Sequence, residues 1–170
     1  REKAGIIKPG IPAVVASSCD LNVRDIFRQT CASVGAPCFE VSLSDASDIC
    51  ETASGTSFYR KGKRYQLTMP GRYQVMNALL ALEAMERVSL LSDNASEGLS
   101  AAFIPGRFQQ ISFHQKLFIL DVGHNPDAAE VLVDNLKKRF KNESICIVTG
   151  IMKDKDYPGI LKKYSEKNYV

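Results

Sequence analysis

Residues 11–43 constrain the fold more than any other part of the chain. Residues 11–16 are a short, mostly apolar, β-branched run entered through Pro9-Gly10, which reads as a buried strand. Asn22 then offers a helix N-cap, with Asp25 three residues on. Val23, Ile26, Phe27, Thr30, Cys31 and Val34 follow at helical spacing until Gly35 stops them. Residues 38–43 read as a second strand. Two strands joined by a crossover helix pair in parallel, so this is a βαβ unit and the fold class is α/β.

The rest of the chain continues the pattern. Residues 56–68 read as a β-hairpin lying on the surface around Lys61-Gly62-Lys63. Pro70-Gly71 ends it, and a helix follows over 73–88 with Val75, Leu79, Leu82, Met85 and Val88 as its apolar stripe. Residues 89–100 are small and polar, with one short helix before Pro105, and a domain boundary falls at about Ile104. Residues 108–113 and 116–122 form a second hairpin around His114-Gln115. Asn125-Pro126 opens a further helix in the preferred order, cap residue and then proline. Ala129, Leu132, Leu136 and Phe140 are its core face, and Lys137, Lys138, Arg139 and Lys141 suit the negative end of its dipole. Residues 144–150 read as another buried strand and 157 onward as another helix, which makes two α/β pieces.

Composition removes several classes of function. With 45% hydrophobic and 24% charged residues the chain is globular, and its apolar runs are too short to span a membrane. Its net charge of +3 is too mild to argue for nucleic acid. The cysteines at 19, 31, 38, 50 and 146 fit neither a disulfide framework nor a zinc site, and they read as reduced thiols of a cytoplasmic protein. Two histidines are too few for a histidine metal cage. The chain begins at Arg1 within a motif, without an export leader, and ends at Val170 within a helical pattern, so it is read as a fragment.

Local motifs of the strong kind are missing. No glycine begins a G-x-x-x-x-G-K-[ST] phosphate loop, and there is no nucleophile elbow or Cys/His catalytic pair in recognisable context. Pro70-Gly71-Arg72-Tyr73-Gln74 and Pro105-Gly106-Arg107-Phe108-Gln109 are nearly identical. The first opens a helix, the second a strand, and no third copy exists, so the likeness is taken as coincidence.

Five dispersed segments carry more. They are Glu2-Lys3-Ala4-Gly5-Ile6-Ile7-Lys8-Pro9-Gly10, Arg72-Tyr73-Gln74-Val75-Met76-Asn77-Ala78, Pro105-Gly106-Arg107-Phe108-Gln109, Leu120-Asp121-Val122-Gly123-His124-Asn125-Pro126, and Thr149-Gly150-Ile151-Met152-Lys153-Asp154-Lys155-Asp156. In this order and spacing they resemble the folylpolyglutamate synthase/dihydrofolate synthase family of the Mur ligase superfamily. The resemblance implies an ATP-dependent amide ligase. In it a pteroate or folate carboxylate takes the γ-phosphoryl group of ATP, and the amine of L-glutamate displaces phosphate from the acyl phosphate. It also implies that residues 1–104 are the tail of a central P-loop ATPase domain, and that 105–170 are the start of a Rossmann-like, glutamate-binding C-terminal domain. The P-loop and upstream magnesium ligands then lie outside the sequence. The implied partners are dihydropteroate or folate and L-glutamate, with ATP and magnesium as cofactors, on a monomer that binds neither nucleic acid nor membrane.

The same resemblance assigns residues. Lys3 stands where the family carries a carbamylated lysine, an anionic oxygen ligand suited to magnesium. Asn77, Arg107 and Asp121 stand at ATP contacts: an amide for a base edge or ribose, a guanidinium for phosphate oxygens, and a carboxylate at a strand's carboxyl end. A hairpin between Arg107 and Asp121 would bring both to one edge. His124 either binds the glutamate carboxylate or supports its loop. Asp154 and Asp156 match a family loop after a strand, or belong to a solvated charge run. The family more often has glycine at Val122 and alanine at Gly123. A peptidoglycan ligase of the Mur type, or a non-catalytic nucleotide-binding remnant, are the alternatives.

Overall fold

In the computed structural model, which describes residues 2–52, 55–141 and 143–165, the crossover is formed as the spacing requires. Strand β1 (Ala13–Ala16) and strand β2 (Cys38–Val41) pair in parallel, from Ala13 opposite Cys38 to Ala16 opposite Val41, with helix α1 (Leu21–Val34) between them. Gly35 closes α1 in the left-handed conformation at φ 69°. The N-cap is Asp20 rather than Asn22, because the helix starts earlier: the Asp20 carboxylate accepts the Asn22 N–H at 2.8 Å.

An antiparallel sheet follows, with strand β3 (Ser47–Thr52) beside β4 (Gly55–Arg60) and β4 beside β5 (Lys63–Leu67). The β4–β5 hairpin is not a surface feature. Thr56 and Phe58 on β4 and Tyr65 and Leu67 on β5 are buried, since one pleated face lies under helix α2 (Arg72–Arg87). Phe58 and Tyr65 stack with centroids 5.4 Å apart. Val41, Phe58, Tyr65, Leu67, Val75, Ala78, Leu79 and Leu82 make the core of this part. The apolar stripe of α2 ends at Leu82, because Met85 and Val88 lie beyond the covered face, exposed by 42% and 46%. That end of the helix is held by charge instead. Arg60, 5% exposed, pairs with Glu83 and Glu86, and the Arg87 guanidinium lies 3.7 Å from the Phe39 ring centroid. Helix α3 (Ala95–Ala101) packs against β5.

The chain divides into two units, Arg1–Ala102 and Phe103–Val170. In the second, β6 (Gln109–Phe113) and β7 (Lys116–Leu120) form the expected hairpin. His114 and Gln115 both take positive φ, as a tight two-residue turn between twisted strands demands. Asn125 caps helix α4 (Pro126–Arg139) by accepting the Ala128 N–H at 2.8 Å, with Pro126 in the first turn. Helix α5 (Tyr157–Ser165) packs on α4, and Phe108, Ala129, Val133, Leu136 and Ile160 are buried. Residues 144–150 are not a buried strand. They carry no ladder, and Val148 is 93% exposed. A β-branched run gains strand geometry from a paired neighbour, and among the described residues β7 pairs only with β6.

Candidate functional site

The second unit brings two of the singled-out residues to one place. Asp121, just beyond β7, reaches back to the turn that precedes β6. Its Oδ2 accepts the Phe108 N–H at 3.0 Å and its Oδ1 the Gly123 N–H at 2.8 Å. Beside it the Val122 N–H donates to the Gly106 carbonyl at 2.8 Å, and the Gly106 N–H donates to Gln109 Oε1 at 3.0 Å. The approach requires glycine: Gly106 has φ 71°, and a Cβ there would stand 2.6 Å from Val122 Cγ1. Phe108 also takes a positive φ of 50° and is 2% exposed, with the Arg139 guanidinium 5.8 Å from its ring centroid.

Arg107 therefore sits between two tied residues. It is partly buried, and its own N–H donates to the Ile104 carbonyl at 3.2 Å. Its guanidinium has no hydrogen bond or ion pair with any described residue, the nearby Asp121 carboxylate included. A cation held at its backbone, with no partner at its tip among the described residues, can fork onto phosphate oxygens.

The loop after β7 holds the remaining polar groups of this unit. His124 is exposed, with Nδ1 3.3 Å from the Val122 carbonyl oxygen. Asp156 accepts the Gly159 N–H at 3.0 Å and so caps α5, which makes it a structural member of the Lys-Asp-Lys-Asp run. Asp154 pairs with Lys155 at 2.8 Å, which holds its carboxyl below the ordinary range. Burial, and after it the charge of Asp121, raises the Tyr164 phenol above its ordinary value.

In the first unit, Asn77 is exposed on the second turn of α2. Its Nδ2 donates to Gln74 Oε1 at 2.9 Å, and its carbonyl oxygen has no hydrogen bond among the described residues. Gln74 itself is 4% exposed and makes a second, longer contact from Nε2 to the Met69 sulfur at 3.5 Å. Sequence reasoning passed over Gln74, although it is the fifth residue of the Pro-Gly-Arg-x-Gln segment. Lys3 is exposed in a 3-10 turn over Glu2–Ile6. Among the described residues no three His, Cys, Asp or Glu side chains gather as a metal site, so Lys3 could supply one magnesium ligand of several, not a site by itself.

Comparison with known proteins agrees in both units. Residues 106–169 match the family "Mur ligase, glutamate ligase domain". The chain is 33% identical to the dihydrofolate synthase/folylpolyglutamate synthase of Bacillus subtilis across 95% of its own length and 40% of that protein's. It is 34% identical to the Escherichia coli protein of the same name, across 95% and 37%. A crystal structure of the bifunctional enzyme from Yersinia pestis, complexed with AMPPNP and a manganese ion, superposes with a TM-score of 0.74 at 33% identity, covering 98% of this chain and 39% of that one. The chain thus spans about two fifths of the length of the relatives it matches. Ordered segments and fold thus agree in one likeness: residues 106–169 match a Mur ligase glutamate ligase domain, and the chain as a whole is similar to part of the dihydrofolate synthase/folylpolyglutamate synthases.

Proposed function

We propose that this chain works as part of an ATP-dependent amide ligase that adds L-glutamate to dihydropteroate or folate. The observation that carries the reading is the Arg107 guanidinium, unpaired among the described residues and carried on a fixed turn, inside the region that matches a glutamate ligase domain. On this reading residues 1–104 are the end of the ATPase domain and 105–170 the beginning of the glutamate-binding domain. Bound ATP supplies the phosphoryl group that makes the acceptor carboxylate reactive toward an amine. The residues here would hold and orient. Arg107 forks onto phosphate oxygens, Asn77 offers its free carbonyl and remaining N–H to the base or ribose, and Asp121 stands at the same edge as Arg107. Lys3, once carbamylated, would be one magnesium ligand, and His124 would face the glutamate carboxylate or hold its loop.

The five cysteines are free, which suits a reducing cytosol, and no described helix is long and apolar enough to cross a membrane. We place the ligase there as a monomer. The test is a coupled assay of the purified ligase carrying this chain. ADP release should require both L-glutamate and a pteroate or folate, and mass spectrometry should find the product one glutamyl residue heavier. Glutamylation of neither acceptor, or ADP release that depends on a muramyl peptide instead, would overturn the reading.

A further inference from the structure

The Asp121 carboxylate makes no ion pair with Arg107, although it binds the N–H of the next residue, Phe108. A direct pair between this carboxylate and the guanidinium would neutralise Arg107. Here both carboxylate oxygens are instead occupied by backbone N–H groups, of Phe108 at 3.0 Å and Gly123 at 2.8 Å. A charged acceptor on two amides is a strong and directional tie. One of those amides is the peptide that follows Arg107. The residue that precedes it, Gly106, is tied to the same loop by the Val122 N–H at 2.8 Å. The Arg107 backbone is thus clamped on both sides by 121–123, while the side chain stays unpaired among the described residues.

The geometry assigns Asp121 the part of a positioning residue: it latches the Pro105–Phe108 turn and thereby aims Arg107. This rests on the reading of Arg107 as a phosphate contact. The turn is not a relaxed one. Gly106 and Phe108 both have positive φ, and a non-glycine residue holds that conformation only where its surroundings fix it. The buried Phe108 ring and the Asp121 latch are what fix it. Losing the latch lets the turn relax toward ordinary dihedrals and swings the base of the Arg107 side chain, with no loss of positive charge.

A double-mutant cycle on the ligase separates this from a direct contact. Arg107→Ala should lower kcat/KM for ATP, and Asp121→Ala alone should lower it comparably. Asp121→Ala added to Arg107→Ala should cost less than about twofold more, because interacting residues are not additive. Asp121→Asn keeps one acceptor oxygen and should recover part of the loss. Gly106→Ala touches neither side chain and should reproduce the Asp121→Ala loss, since its Cβ meets Val122. In parallel, hydrogen exchange on the 170-residue chain should show the Phe108 and Gly123 amides protected, and both deprotected by Asp121→Ala. Additive losses in the cycle, with Arg107→Ala itself damaging, would overturn the latch and leave the phosphate reading intact. An Arg107→Ala enzyme with unchanged kcat/KM would overturn the phosphate reading, and the latch with it. Unprotected amides in the unaltered chain would overturn the latch on geometry alone.

Discussion

Gln74 holds Asn77 from one helical turn back, its buried Oε1 accepting the Asn77 Nδ2–H at 2.9 Å. This bond orients the amide of Asn77: one N–H is occupied, and the carbonyl oxygen has no hydrogen bond among the described residues. Replacing Gln74 by methionine keeps the volume and removes the acceptor. Asn77 is exposed, so water takes the N–H that Gln74 releases and no buried group is left unsatisfied; the melting temperature should move by no more than about 3 °C. Nucleotide affinity of the ligase should fall by about fivefold, the worth of one ordinary hydrogen bond. Calorimetric titration and a melt on the same sample check both. Unchanged affinity would show that Asn77 needs no fixed orientation.

Acid should weaken the first unit through Glu86. Hydrogen bonds from Lys61 and then Arg60 pull its carboxyl down to about 2. A carboxylate whose folded value lies below its unfolded one contributes stability above the unfolded value, and that contribution is lost on acidification. The window here runs from about pH 4.5 down to about pH 2. Urea midpoints measured across it should fall with pH, and Glu86→Gln should flatten that fall while lowering the midpoint at neutral pH. Parallel curves for the two proteins would mean that the Arg60 cluster does not govern acid unfolding.

Two glycines in helices should respond in opposite directions to alanine. Gly98 in α3 has open space around it, so Gly98→Ala should add about 0.5–1 kcal/mol from helix propensity. Gly159 in α5 is hemmed in: its Cβ would stand 2.4 Å from Asp156 Oδ2 and 2.9 Å from Pro126 Cγ. Gly159→Ala should therefore displace the Asp156 cap and the N-terminus of α4, at a cost of about 1 kcal/mol or more. Denaturant unfolding of each variant gives the sign, and stabilisation by Gly159→Ala would contradict the crowding.

The βαβ unit, both hairpins, α2 and the Asn125-Pro126 helix start were legible because each rests on local signals: period, Gly and Pro placement, and cap residues. Strand β3 was not. Its sequence Ser-Asp-Ile-Cys-Glu-Thr has no apolar alternation, and its register is interrupted near Asp48, which has φ 50°. The burial of Phe58 and Tyr65 was missed for a different reason. A hairpin with charged residues at its tip looks exposed until a helix is known to cover one face. The apolar run at 144–150 misled in the other direction, since strand propensity says nothing of whether a partner strand is present. In the candidate site, a hairpin's spacing was enough to bring Arg107 and Asp121 together. The Phe108 and Gly123 N–H groups that occupy Asp121 were illegible, because backbone donors leave no trace in residue identity.

Lys3 stands in a short 3-10 turn beside the buried Ala4. If its carbamate serves magnesium in the ligase, Lys3→Ala should abolish glutamate addition. A short carboxylic acid supplied in solution should restore part of it by offering the missing oxygen ligand. The rescue should depend on acid concentration and fail for the corresponding amide. Full activity of Lys3→Ala without any acid would return this exposed lysine to the solvated surface.

The 170-residue chain by itself should bind nucleotide weakly and turn none over. It contains no Gly-rich phosphate loop, and what it offers ATP is the side chains of Asn77 and Arg107, the latter on the turn that Asp121 ties. Most of the hold on a triphosphate comes from converging backbone N–H groups at a helix N-terminus, with magnesium held by several oxygens at once. Among the described residues no cluster of three metal-ligating side chains exists to supply the latter. One guanidinium on a fixed turn and one oriented amide contribute on the order of 1–3 kcal/mol each at best, which leaves affinity in the millimolar range. Calorimetric titration of the chain with magnesium-ATP, run beside a phosphate-release assay, measures both quantities. Micromolar binding, or phosphate release above a buffer blank, would show that these residues hold ATP without a phosphate loop.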